Sequence, residues 1–562
     1  MKISSSSLPV RRAALGMLLL ATSAMGIAAA PVAAPSFDIA RVSNDIKILA
    51  SDEFEGRGPA TRAEQKTIDY VSAQMKAAGL KPAGPKGSWF QDVPLRKSEI
   101  TGTPALSMTI GGTAQSLTQG GEIALRAAET GQSSVKFADL PLVFVGYGVS
   151  APERGWDDFK GVDVKGKTVV FLINDPDFEA QAGDDAKGRF GDRRMTYYGR
   201  WTYKFEEAAR RGAAAALIVH DTGGAGYPWS TVNASNGENY DIVRTAADGR
   251  VPLQGWIAHD VADRLFADAG LDLAALRVQA RSKGFRPVAM KRAFSAAADV
   301  AVERIESANV LAKLPGATTP DETVMFAAHW DAYGDGPPDA SGKTLRPGAN
   351  DDALGTAGVM ELARLFRTGP RPDRTMVFAL WTGEERGLLG SEHYAAHPVY
   401  PPAKTAANLT LDILQTAGPA RDVVLVGQGQ STLDGMLADA ARAQGRVVTP
   451  ETFSERGLFY RADHFSVVRR GVPSLLLMAL GGASDLRDGG RDAGQKWLDD
   501  YMACYHKTCD AWDAGWDLRG AAADVDLFHA MGAGLGKAGV WPTWSAGSEF
   551  LAIRDGSADA RK

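Results

Sequence analysis

The stretch Thr323-Val-Met-Phe-Ala-Ala-His329-Trp330-Asp331 decides how the rest of the chain is read. Six residues of apolar character and strand length run into a histidine and an aspartate, with no polar alternation before them. Such a run suits a strand buried on both faces, which is the habit of parallel sheets covered by helices. Around it, short apolar runs at 308–314, 375–381, 409–413, 423–426 and 473–480 alternate with helical patterns. One such helix, expected over 352–367, places Leu354, Gly358, Leu362, Leu365 and Phe366 on one side. The expected fold is therefore α/β, with a mainly parallel mixed sheet flanked by helices.

In an open α/β sheet, chemistry collects just beyond the carboxyl ends of the strands. His329 and Asp331 end one strand, Thr382-Gly383-Glu384-Glu385 follows a second, and Asp412 ends a third. Gly348-Ala349-Asn350-Asp351-Asp352 opens a helix, and Cys504-Tyr505-His506-Lys507-Thr508-Cys509 lies far downstream. Two histidines and several carboxylates, with no thiolate ligand, suit zinc held by nitrogen and oxygen. One carboxylate could bridge two ions about 3.5–4 Å apart, the arrangement that grips a nucleophilic water. Adjacent glutamates divide more usefully into one ligand and one general base than into two ligands of one ion. Taken singly, each piece has a plainer reading: Asp351-Asp352 as a helix cap, Glu384-Glu385 as a solvated loop, Asp412 as half of a buried salt bridge.

Composition narrows the alternatives. The chain has 562 residues, 45% hydrophobic and 23% charged, with Lys+Arg 62 against Asp+Glu 67 and a net charge of −5. That balance gives no counter-charge for a phosphate backbone, so no nucleic-acid partner is expected. Cys504 and Cys509 are the only two cysteines, which excludes a four-thiolate zinc site.

Lys2, Arg11 and Arg12 precede an apolar stretch from Ala13 to about Ala30, with small residues from Ala28 to Ala34. This layout reads as a signal peptide over 1–30, cleaved within 24–34. A periplasmic or secreted protein without stable membrane insertion after cleavage is expected; whether Arg11-Arg12 marks twin-arginine export is left open. Residues 37–95 read as helical with a looped end, where Thr61 and Glu64 form a capping box and Gly79 a stop. Residues 104–130 read as short strands and turns, and 205–211 as a helix before a small-residue strand at 214–219. The division expected is 36–137 and 293–556 as one domain, interrupted by a β-rich α/β insertion at 138–292, with a loose tail at 557–562.

The ordered set His329-x-Asp331, Gly-Ala-Asn-Asp351-Asp352-Ala-Leu-Gly, Gly-Glu384-Glu385-x-Gly-Leu-Leu-Gly-Ser, Leu-Asp412 and Tyr505-His506 resembles the co-catalytic di-zinc aminopeptidases. That family also includes glutamate carboxypeptidase, glutaminyl cyclases and transferrin-receptor ectodomains. Leu49-Ala-Ser-Asp-Glu-Phe-Glu-Gly-Arg-Gly58 and Tyr460-Arg-Ala-Asp-His-Phe465 resemble bacterial members, and the 138–292 segment resembles a protease-associated (PA) domain. The resemblance implies two zinc ions. Asp351 would bridge them, His329 and Asp412 would complete one site, and Glu385 and His506 the other. Glu384 would act as general base on a metal-bridging water, Asp331 would orient His329, and Tyr505 would either steady the oxyanion or pack beside His506. It also implies a disulfide between Cys504 and Cys509, with two buried thiols as the alternative.

The expected activity is removal of N-terminal residues from peptide substrates. The alternatives are a carboxypeptidase or glutaminyl cyclase-like enzyme on the same fold, or a non-catalytic receptor-like module. Tyr460, Asp463 and His464 are candidates to line the cleft, while Arg346 and Arg461 are read as solvated rather than as readers of a carboxylate. Leu354 departs from the family, where serine is usual, which puts local hydrogen bonding rather than metal binding in doubt. His220, His259, His393, His397 and His529 are expected to be structural or surface residues.

Overall fold

The computed structural model describes residues 37–128, 131–235, 237–244 and 249–561. The expected signal segment lies outside the described residues. One large sheet dominates, built from β1 (Phe90–Ile110), β2 (Ile123–Ala127), β3 (Ser134–Phe144), β4 (Thr168–Leu172), β5 (Ala215–Val219), β6 (Leu253–Ile257), β7 (Val288–Leu314), β8 (Thr319–His329), β9 (Arg374–Trp381), β10 (Thr405–Leu411) and β11 (Ser474–Leu477). Their spatial order is β11-β10-β8-β9-β7-β3-β4-β5-β6-β2, with β1 running beside β7. Strands β11, β10, β8 and β9 are mutually parallel, as are β3, β4, β5 and β6. The two parallel blocks meet through β7, antiparallel to both β9 and β3. A mixed sheet flanked by helices is thus observed; it is parallel within these two blocks, while β1, β2 and β7 pair antiparallel with their neighbours.

The first block explains why its strands read as unbroken apolar runs. Val324, Phe326 and Ala328 of β8 enter one core with Phe378 of β9 and with Leu354, Ala357 and Leu362 of the helix α1 (Leu354–Thr368). The alternate residues Met325 and Ala327 enter a second core with Val377, Ala379 and Trp381. Side chains that alternate between two covered faces must all be apolar. Leu354, the departure from the family pattern, is fully buried in the first core.

Several expectations change. Residues 90–95 belong to β1 rather than to a looped helical end, and the short strands expected from 104 onward begin inside it. Pro94, Gly102 and Pro104 punctuate that stretch locally, but pairing with β7 along most of its length carries it through. The strand expected at 308–314 is the end of β7, buried there except at half-buried Lys313. The strand expected at 423–426 is Asp422–Leu425, and it pairs only with Val447–Pro450 in a separate two-stranded sheet. Residues expected to trail off form a short 3-10 helix, Ala558–Arg561. The helix expected at 205–211 is α-helical over Trp201–Arg210 and leads into β5 as anticipated.

Because β8, β9 and β10 run parallel, their carboxyl ends share one edge of the sheet. His329 closes β8, Glu384 and Glu385 sit in the 3-10 turn after β9, and Asp412 directly follows β10. The remaining segments reach this edge from elsewhere in the chain.

Candidate metal centre

The loop before α1 is shaped from both ends. Gly348 adopts φ 56°, and a Cβ there would sit 2.3 Å from the Asp351 carbonyl oxygen and 2.5 Å from Ala332 Cβ, so only glycine fits. Beyond it, the Asp510 carboxylate accepts the backbone N–H groups of Asn350 at 3.0 Å and Asp351 at 3.1 Å. Asn350 Oδ1 in turn accepts the Leu414 N–H at 3.1 Å, tying the loop to the end of β10. Asp352 accepts the N–H of Gly355 at 2.9 Å and of His329 at 3.3 Å, which agrees with its reading as a cap.

Fully buried Arg57 braces the same region from the N-terminal segment. Its guanidinium donates to the carbonyls of Trp330 (2.8 Å), Leu49 (2.9 Å), Pro347 (2.7 Å) and Gly348 (2.6 Å).

These supports present the side chains of Asp351 between two imidazoles. Asp351 Oδ1 lies 3.2 Å from His329 Nε2, and Asp351 Oδ2 lies 3.2 Å from His506 Nε2. Asp412 Oδ1 is 3.9 Å from His329 Nε2, and Glu385 Oε2 is 3.2 Å from His506 Nε2. Two triads result, His329–Asp351–Asp412 and Asp351–Glu385–His506, in each of which the donor atoms lie within 4.8 Å of one another. Ligand atoms about 2.0–2.2 Å from a tetrahedral zinc would be separated by about 3.3–3.6 Å, comparable to these spacings.

Buried His329 Nε2 and Asp412 Oδ1 have no hydrogen-bond partner. Polar atoms left unpaired in a protein interior are costly, and a cation between them would meet the need. The donor set of imidazoles and carboxylates suits zinc.

Electrostatics carry the same message. Burial raises the Glu384 and Glu385 carboxyls well above their usual range, and neighbouring carboxylates, Asp351 among them, push in the same direction. Burial also raises Asp412, and it takes Asp510 to about 7. For His329, burial opposes charge, but Asp331, Asp351 and Asp412 outweigh it and hold the ring well above an ordinary imidazole. Burial likewise opposes charge on Asp351, yet His329 and His506 hold it below the usual carboxylate range. The centre concentrates more negative charge than two imidazoles can balance, a condition that bound divalent cations relieve.

The other expected residues are distributed around this core. The Asp331 carbonyl is 3.1 Å from His329 Nδ1 and its carboxylate is 3.7 Å from the same atom. Tyr505 has its ring 3.5 Å, centre to centre, from that of His506, and burial raises its hydroxyl. Cys504 and Cys509 form the disulfide, with Cα atoms 5.2 Å apart, around a His506 held at φ 60°.

A cavity of about 450 Å³ reaches Glu384, Glu385, Tyr505 and His506, and Tyr460 and Arg461 also line it. Arg461, read as solvated, is half-buried on the wall of this cavity, whereas Arg346 donates to the Thr344 and Pro337 carbonyls outside it. Asp463 and His464 do not line the cavity. Asp463 is buried and accepts the Ser391 hydroxyl at 2.6 Å; His464 is fully buried against Phe459, and burial lowers its pKa to about 3.

Among the described residues, the remaining histidines join neither triad. His393 stacks on His397, His529 packs against Phe366, and His220 lies between Trp229 and Trp256. Arg57, Asp510 and Tyr333, whose ring is 4.4 Å from that of His506, were not anticipated. Arg57 lies inside the quoted 49–58 run, which was the one available signal.

Residues 309–528 match the model of Peptidase family M28. A probable zinc metalloprotease of Pyrenophora teres f. teres (strain 0-1) is 38% identical over 105 residues, 19% of this chain and 22% of the relative. Aminopeptidase Y of Saccharomyces cerevisiae (strain ATCC 204508 / S288c) is 26% identical over 230 residues, 39% of this chain and 38% of the relative. The chain thus spans well under half the length of either curated relative. Among solved structures, an aminopeptidase from Aneurinibacillus sp. strain AM-1 aligns with 88% of this chain and 93% of its own, at 20% identity and a TM-score of 0.46.

Proposed function

We propose that this chain, with its Peptidase family M28 segment at 309–528, is an exported two-zinc aminopeptidase that removes N-terminal residues from peptides. The observation that carries this reading is the placement of Asp351, with one carboxylate oxygen 3.2 Å from each of two imidazole nitrogens. His329 and Asp412 would hold one ion with Asp351, and Glu385 and His506 the other. Zinc, when bound, polarises a carbonyl and lowers the pKa of water.

The chain's own residues then have separable tasks. Glu384 belongs to neither triad and borders the cavity, so its carboxylate is available to take a proton from the attacking water and return it to the leaving amine. The Asp331 carboxylate accepts the Glu384 N–H and so steadies the turn that carries the base. The Tyr505 hydroxyl, on the cavity wall beside His506, would donate to the oxygen on which charge develops. The 138–292 segment supplies Trp201, Tyr227 and Trp256 to the cavity, which supports reading it as a PA-like access domain. The leader-like start of the sequence, together with a disulfide at 504–509, supports a periplasmic or secreted location.

The test combines metal analysis with leucine anilide and its N-acetyl derivative. Two zinc ions per chain are expected, with cleavage only of the free amine. Glu384→Ala should abolish turnover while both ions stay bound. Cleavage that survives acetylation overturns the aminopeptidase reading, and activity retained in Glu384→Ala overturns the assignment of the base.

A further inference from the structure

The cavity that touches Glu384, Glu385 and His506 extends to a second group of side chains, and their charges do not balance. Its other acids are already paired. Asp241 binds Arg244 and Arg250; Glu206 binds Arg469 and the Tyr197 hydroxyl; Glu392 lies against Arg244 and Arg469. Four further guanidiniums line the same cavity. Arg386 lies 4.0 Å from Glu238; the other three are Arg126 from β2, Arg200 at the start of the helix Trp201–Arg210, and Arg461 after the turn Leu458–Tyr460. None of the three has a carboxylate within 4.0 Å among the described residues.

Arg200 is the decisive member. It is only 7% exposed, and its Nε has no hydrogen-bond partner. Burial, reinforced by the like charge of Arg461, pulls its pKa down to about 10. Tyr227 lies within electrostatic reach of all three arginines, so they cluster around one part of the wall. Arg461 also acts on the Tyr505 hydroxyl, so at least this member stands within electrostatic reach of a residue beside His506. A buried, unpaired guanidinium is costly to keep, and its fork of donors matches a carboxylate.

We infer that Arg200 and Arg461, with Arg126, form a subsite that binds a carboxylate of the substrate, so that the preferred substrates are short peptides anionic beyond the residue removed. This rests on the aminopeptidase reading, in which the free amine lies at the metal centre and the arginines take the opposite part of the peptide. The carboxylate has two sources, the C-terminus of a dipeptide or an acidic side chain following the scissile bond.

The experiment compares kcat/KM for Leu-Ala against Leu-Ala-amide, and for Leu-Glu-amide against Leu-Gln-amide, in the zinc-loaded protein and in its Arg200→Met and Arg461→Met variants. Binding of glutarate, followed by calorimetry, reports on the subsite independently of turnover. Methionine replaces the buried guanidinium with an apolar chain of similar reach, and unchanged melting temperatures verify folding. The wild type should favour the anionic member of at least one pair by tenfold or more, and that pair identifies the source. Both variants should bring the ratio close to one and weaken glutarate binding at least tenfold. Ratios near one in the wild type, or ratios and glutarate affinity unchanged in the variants, overturn the subsite. If none of the four peptides is cleaved, the aminopeptidase reading fails, and glutarate binding alone then decides the subsite.

Discussion

The Asp331 carboxylate accepts the backbone N–H of Glu384 at 3.1 Å, while the backbone carbonyl of Asp331 faces His329 Nδ1 at 3.1 Å. One residue thus joins the ends of two parallel strands, one carrying a proposed ligand and the other the proposed base. Its two contacts differ in kind, because only the first uses the side chain.

Asp331→Ala therefore removes the hold on Glu384 but leaves the carbonyl that orients His329. We expect kcat at saturating zinc to fall by about 10–100-fold, with a smaller loss of zinc affinity. Steady-state kinetics and chelator competition measure the two separately. Weak zinc binding with an undiminished kcat would show that the residue serves the ligand alone.

Arg57→Met strips four carbonyls of their donor and removes a positive charge that acts on Asp510, all in the interior. Breaking such a buried arrangement costs about 3–5 kcal/mol. Urea unfolding followed by circular dichroism should register that loss, and a change below about 1 kcal/mol would contradict the bracing role.

The disulfide closes a very short loop around His506, so its loss should cost about 2 kcal/mol by the chain-entropy estimate. His506 also occupies the left-handed backbone region, φ 60°, which a non-glycine residue leaves readily once released. A Cys504→Ser/Cys509→Ser variant should bind the ion shared by Glu385 and His506 at least tenfold more weakly, read as a biphasic chelator titration. Unaltered stability and zinc affinity after reduction would count against the clasp.

Glu64 supplies a pH signature. Burial raises its carboxyl from 4.5 to about 7, although it accepts the Ser307 hydroxyl at 2.9 Å. A carboxyl raised in the folded state keeps its proton there while the unfolded chain loses it, so its contribution to stability declines as pH rises from about 4.5 to about 7 and is level beyond. The stability of wild type relative to Glu64→Gln should therefore fall by about 3 kcal/mol across that window. A difference that is flat or rises with pH would refute the buried, protonated state.

The centre was legible in sequence wherever its residues stand at the ends of apolar strands. His329, Glu384, Glu385 and Asp412 announce themselves because a charged or imidazole group ends an otherwise apolar run. His506 had no such marker and depended on the family resemblance. The bracing roles of Arg57 and Asp510 went unread for a different reason: they bind backbone groups, and no residue pattern records which carbonyl or amide will lack a partner. The carboxylate preference was hidden similarly, since Arg461 acquires meaning only when folding brings Arg126 and Arg200 into the same cavity. Strands β1 and β7 escaped because each gains its partner from the other, across about 200 residues of intervening chain that no local window spans.

Strand β7 also bears on how this chain can be engineered. The insertion expected at 138–292 ends within its 27 residues, between its pairings with β3 at Ala289 and Ala293 and just before its pairing with β1 begins at Phe294. Cutting there would leave a stump of strand on each fragment and divide its ladder with β3. A shortened or transplanted version must therefore be spliced outside β7, with the whole strand assigned to one side of the join.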